Sequence, residues 1–122
     1  MDTMHNKRKG AEGEQAAVDY LVGIGYRIIG RNLQLGRDEI DILAKFRSTL
    51  IFVEVKTRAT NTYSVPEDFI TPQKEACMLR AADRYIQDHD WNGDTRFDLV
   101  AVYYAGPKPQ VIHIQDAFYP RA

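Results

Sequence analysis

Asp41, Glu54 and Lys56 have the types and spacing that phosphate chemistry uses. Glu54 is the most unusual of the three. It follows Leu50-Ile51-Phe52-Val53, a run apolar at every position that reads as a central strand covered on both sides. A carboxylate at the end of such a run is costly to bury unless it is paired or bound to a metal ion. Lys56 stands two residues on and points to the same face, roughly 7 Å along the strand. Asp41 lies in the preceding run, Glu39-Ile40-Asp41-Ile42-Leu43-Ala44-Lys45-Phe46. The even positions of that run form an apolar face, and Glu39, Asp41 and Lys45 share the other with Leu43. Arg47-Ser48-Thr49 is a short turn, so the two runs pair as a hairpin and bring Asp41 and Glu54 close across the ladder. Two converging carboxylates repel unless a divalent cation lies between them. Mg2+ prefers oxygen ligands and commonly takes one or two carboxylates with water and phosphate. The chemistry open to this set is hydrolysis of a phosphodiester, with Asp41 and Glu54 holding Mg2+ or Mn2+. Lys56 would position water or stabilise developing charge. The competing reading is a Glu54–Lys56 ion pair at a frayed strand end, with Asp41 as a turn carboxylate.

The elements around these residues supply further candidates. A first helix is expected from about Ala11 to Ile24, with Gly13, Ala17, Tyr20, Leu21 and Ile24 at helical spacing and Gly25 to end it. At about 100° per residue, Glu14 lies about 60° from Ala17 and next to Leu21. It therefore faces the protein, as a third acid at the site or as an acid favoured by the helix dipole. Thr71-Pro72 starts a second helix, Thr71 as N-cap and Pro72 in the first turn. Met78, Ala82, Tyr85 and Ile86 form its apolar stripe, which ends near His89. Gln73 and Lys74 fall beside the free N–H groups of that first turn, where a phosphate is welcome. Lys74 continues the row of positions 74, 78, 81 and 85 and so reaches over the sheet end, or is an ordinary solvated lysine. Arg58 is placed to touch a backbone phosphate. Strands are expected at Tyr26–Asn32, Phe97–Tyr104 and Val111–Ile114, with a polar loop over 57–70. The order is α-β-β-β-α-β-β, which favours one mixed sheet with helices packed on it.

The 122 residues make one domain, expected over 10–122 after a disordered lead-in at 1–9. Cys77 is the only cysteine, which excludes an internal disulfide and a Cys-based zinc site. Met1 to Gly10 carries basic residues with no apolar run behind them, unlike a secretory signal. No stretch approaches the roughly 20 apolar residues of a membrane span, so the expected compartment is the cytoplasm. The net charge of −1 is low for a generic phosphate binder, so nucleic acid would need a local patch. Lys7, Arg8, Lys9, Arg27, Arg31 and Arg37 are its candidates, with plain solubility as the alternative. His5, His89 and His113 have no ligand-like spacing.

Taken together, these residues resemble the PD-(D/E)XK site of the restriction-endonuclease-like superfamily. More narrowly, Gly10 to Phe118 resembles the YraN-like family of bacterial proteins, itself similar to archaeal Holliday-junction resolvases. The pieces that carry the resemblance are Gly10-Ala11-Glu12-Gly13-Glu14, Gly25-Tyr26, Asn32, Glu39-Ile40-Asp41, Phe52-Val53-Glu54-Val55-Lys56-Thr57-Arg58, Lys74 and Arg96-Phe97-Asp98. The resemblance implies an α/β restriction-endonuclease-like fold. It makes Asp41 and Glu54 metal ligands, Lys56 the catalytic lysine and Glu14 the helix-borne acid. The implied substrate is DNA, branched or otherwise structured. A domain this small would grip two DNA arms as a homodimer or with a larger partner. One departure is visible: Asp38 stands where the family usually has Gly. A second function class fits the same scaffold, a non-catalytic nucleic-acid-binding or protein-interaction module. A small-molecule phosphatase lacks its phosphate-cradling glycine loop here.

Overall fold

The computed structural model of the chain describes residues 3–58, 70–104 and 106–118. The elements follow the expected order: α1 (Thr3–Gly23), β1 (Arg27–Leu35), β2 (Asp38–Phe46), β3 (Thr49–Arg58), α2 (Pro72–His89), β4 (Asp94–Tyr103) and β5 (Gln110–Ile114). The strands form one sheet in chain order. Every neighbouring pair is antiparallel except β3 with β4. A parallel pair needs a crossover of a dozen or more residues, and α2 lies within it.

The continuous apolar run of β3 is explained by its two covered faces. Ile51 and Val53 pack with Ala17 and Leu21 of α1, and with Ile42, Ala44, Val100 and Val102. Leu50 and Phe52 pack with Met78, Ala81 and Ala82 of α2, and with Ile40, Leu43 and Phe97. The α2 start is as expected: the Thr71 hydroxyl accepts the Lys74 N–H at 3.1 Å, and Pro72 opens the helix. The helix ends at His89 on Asp90, whose left-handed φ of 52° turns the chain so that the Trp91 N–H donates back to the Ile86 carbonyl at 3.1 Å.

Five expectations change. Helical backbone begins at Thr3 rather than Ala11, so most of the lead-in assigned to 1–9 continues α1. Ile24 lies past the helix end and is 42 % exposed, since the chain turns away at Gly25 with φ 98°. The strand placed at Tyr26–Asn32 runs over Arg27–Leu35, with a register shift between Ile28 and Gly30. The even positions of β2 do not share one face, because Ile40 packs on the α2 side and Ile42 and Ala44 on the α1 side. Of the polar loop at 57–70, Thr57 and Arg58 still belong to β3, and 59–69 lie outside the described residues.

Candidate functional site

The β2–β3 ladder ends at the pair Ile42–Val53. One step beyond it, the Val55 N–H donates to Asp41 Oδ2 at 2.8 Å. A side-chain carboxylate thus takes a donor that a continuing ladder would give to a backbone carbonyl. The two strands part here, at the point where β2 passes from Ile42 on the α1 side to Ile40 on the α2 side. The gap opens beside Glu54, the next residue of β3.

The Glu54 side chain is 4 % exposed and holds an ammonium on each oxygen. Lys56 Nζ lies 3.3 Å from Oε2, and Lys74 Nζ, from the first turn of α2, lies 3.2 Å from Oε1. The expected pairing of Glu54 with Lys56 and the expected reach of Lys74 over the sheet end are both present. Burial, then the negative charge of Glu54, push the Asp41 carboxyl up to about 7, against the Val55 hydrogen bond and the Lys74 charge. Burial works to lower the Lys74 ammonium, but Glu54 and then Asp41 outweigh it and hold it above its ordinary value. Glu54 is near enough to Asp41 to govern its protonation.

Glu14 faces inward as the helix periodicity requires, and it lines a cavity of about 290 Å³ with Asp41, Val55 and Thr57. Its Oε1, however, accepts from Arg31 Nε at 3.0 Å and from Asn32 Nδ2 at 2.9 Å. Asn32 adopts φ 50°, a conformation that Asn tolerates better than most residues. Glu14 is therefore shared between the cavity and β1. Arg58 ends β3 with its Nη1 donating to the Thr57 carbonyl, and Gln73 is exposed in the turn that carries Lys74. Among the described residues, no group of three or more His, Cys, Asp and Glu side chains is placed to hold a metal ion.

Two features escaped the sequence reading. Asp38, the residue that departs from the family pattern, is buried and accepts two bonds from Arg80 of α2, at 3.1 and 2.9 Å. Those bonds hold its carboxyl below the usual range despite burial. It pins the start of β2 to the helix that carries Lys74. Asp98 is fully buried and accepts from both Arg96 nitrogens, from His113 Nε2 at 2.7 Å and from the Asp116 N–H. The signal that exposed Glu54, an acid inside an apolar strand, was also present at Asp98 between Phe97 and Leu99.

The profile of the family described as "Uncharacterised protein family UPF0102" matches residues 13–102, a span containing Glu14, Asp41, Glu54, Lys56 and Lys74. The chain belongs to the UPF0102 family. A UPF0102 protein of Bacteroides fragilis is 42 % identical over 111 residues, covering 91 % of this chain and 92 % of its own. One from Cytophaga hutchinsonii is 41 % identical over 99 residues, 81 % of this chain and 88 % of its own. One from Geobacter metallireducens is 37 % identical over 117 residues, 95 % and 96 % of the two chains. The UPF0102 match confirms the YraN-type resemblance and extends over both helices and most of the sheet. No helix among the described residues is long and apolar enough to cross a membrane.

Proposed function

We propose that this UPF0102 chain is a metal-dependent DNA endonuclease whose site is the gap between β2 and β3. The observation that carries the reading is the convergence of Asp41, Glu54 and two lysines where the ladder ends. The donor set fits a hard divalent cation: two carboxylates, one of them holding its proton to about pH 7 because it is buried and the other is close. Asp41 and Glu54 would hold Mg2+ or Mn2+, which when bound supplies Lewis acidity towards a phosphodiester. Lys56 is a cation on the carboxylate face and cannot be a ligand, so its charge serves the phosphoryl oxygens as they become more negative. Glu14 lines a cavity with Asp41, Val55 and Thr57, where it would orient water towards Asp41. Lys74 reaches the gap, and Gln73 beside it in α2 and Arg58 at the end of β3 would meet DNA phosphates. Branched DNA is the substrate class we favour, by resemblance to the resolvases.

The neutral alternative, a binding module without catalysis, draws on one observation. Among the described residues no buried side-chain polar atom lacks a partner, so the site is self-sufficient as a scaffold. Calorimetric titration with Mn2+ separates the two readings. The enzyme binds Mn2+ at a site that Asp41→Ala or Glu54→Ala removes. Lys56→Ala keeps that site and the fold while cleavage falls by at least a hundredfold, because the lost interaction belongs to the transition state. A Lys56→Ala protein that is destabilised but still cuts would retire this mechanism.

A further inference from the structure

We propose that Lys74 is an exchange cation that couples metal loading to DNA binding: it holds Glu54 Oε1 until a DNA phosphate draws its ammonium away and leaves that oxygen to the metal. This rests on the metal-dependent reading above.

Both Glu54 oxygens are occupied by ammonium groups, and the side chain is 4 % exposed. A divalent cation ligated to Oε1 at about 2 Å would meet the Lys74 charge on the same atom. The charge balance points the same way. Once both are ionised as ligands, Asp41 and Glu54 bring two negative charges, and Lys56 and Lys74 bring two positive ones. A dication added to that set leaves a surplus of two in a poorly solvated gap, where like charges repel strongly. DNA phosphates restore the balance. Each lysine differs in its freedom to respond. Lys56 shares β3 with Glu54, two residues along the same face. Lys74 comes from α2, its side chain is 30 % exposed, and its flexible four-carbon stem can swing an ammonium from carboxylate to phosphate. Its destination is close by, since Lys74 sits in the first turn of α2, where the helix dipole favours an anion. Metal and DNA would each bind more tightly in the presence of the other, by the same factor.

The test titrates Mn2+ into the full chain with and without a four-way DNA junction made with phosphorothioate linkages to slow cutting. Free Mn2+ is read by electron paramagnetic resonance. For the unaltered chain the junction should tighten Mn2+ by about tenfold or more, within the usual range of coupling factors. Lys74→Met should bind Mn2+ more tightly than the unaltered chain when DNA is absent, and the increment due to DNA should fall to twofold or less. Lys74→Arg, which keeps the cation, should keep the increment. An undiminished increment in Lys74→Met, or weaker Mn2+ binding by it without DNA, overturns the exchange role. A thermal melt verifies that each variant is folded, and Lys74→Gln replaces Lys74→Met if the latter is not. If the unaltered chain binds no Mn2+ with or without DNA, the metal reading itself falls. If it shows coupling that Lys74 does not alter, only the exchange falls.

Discussion

At Asp41 a proton and a divalent cation would compete for one carboxylate. Burial and Glu54 raise its protonation from the ordinary 3.8 to about 7. A folded-state value above the unfolded one means the contribution to stability is fully present below pH 3.8 and lost as pH rises through about 7. Denaturant melts in chelator should therefore show stability declining across that interval, and Asp41→Asn should flatten the decline. Mn2+ affinity should rise over the same interval, because the ligand form is the deprotonated one. An unchanged slope in Asp41→Asn would assign the titration to another group. The residues of this site were legible because their types conflict with their neighbours, a carboxylate ending an apolar run and a lysine beside it. What each one touches was less so. The inward turn of Glu14 follows from helix periodicity, but its partners Arg31 and Asn32 lie on β1. The placement of β1 beside α1 depends on sheet packing that a helix pattern does not encode. The Asp38–Arg80 bond joins residues 42 apart, and neither end differs from an ordinary surface charge in sequence.

Two contacts between elements hold the gap in shape. At Gly13, α1 approaches β3 so closely that an added Cβ would lie 2.1 Å from Thr57 Oγ1. Alanine favours a helix over glycine by about 1 kcal/mol, yet Gly13→Ala should destabilise by about 1–3 kcal/mol, as overpacking does. It should also move Glu14 off the cavity. Gly10→Ala is the control, since nothing lies within 4 Å of its added Cβ, and it should be neutral or stabilising. Chemical denaturation of both variants checks the pair, and equal effects would remove the packing argument. The second contact is the Asp38–Arg80 pair. Arg80→Met should lower stability, read in the same denaturation, by taking from the Asp38 carboxylate its two donors. At this scale the sequence was legible wherever local chemistry decides, as at Thr71-Pro72 and the two-faced β3. The change of face in β2 was hidden, because counting even and odd positions assumes that the alternation runs unbroken along the strand. The early start of α1 was hidden for another reason: residues 3–9 carry no apolar stripe, and helical backbone there extends a helix anchored further on.

Across the whole molecule, Asp98 acts as a fastener for four elements. It holds Arg96 on its own strand β4 and His113 on β5, Arg96 also donates to the Tyr26 hydroxyl just before β1, and the Tyr20 hydroxyl of α1 meets His113 Nδ1. Burial works to raise its carboxyl, but hydrogen bonds from His113 and Arg96 prevail and hold it low. Its stabilisation is thus present above pH 3.8 and lost as pH falls through the depressed value, opposite in sign to Asp41. Asp98→Ala should cost about 3–5 kcal/mol at neutral pH by leaving half-buried Arg96 without its carboxylate, and should weaken the acid-side fall. A melt series from acid to neutral pH reads both effects. With a net charge of −1, one copy offers little general attraction to DNA, so two copies are expected on a branched substrate. Sedimentation with four-way junction DNA tests this, and a strict monomer with no preference for junction over duplex would remove the branched-DNA reading. The order of strands in the sheet, β1 to β5 without interruption, bears on how the chain is born. No strand must be threaded between two that are already joined. A chain leaving the ribosome can lay down β1, β2 and β3 as an antiparallel meander and then extend it from one open edge. Asp41 and Glu54 would be neighbours on that nascent meander while Lys74 is still to be synthesised.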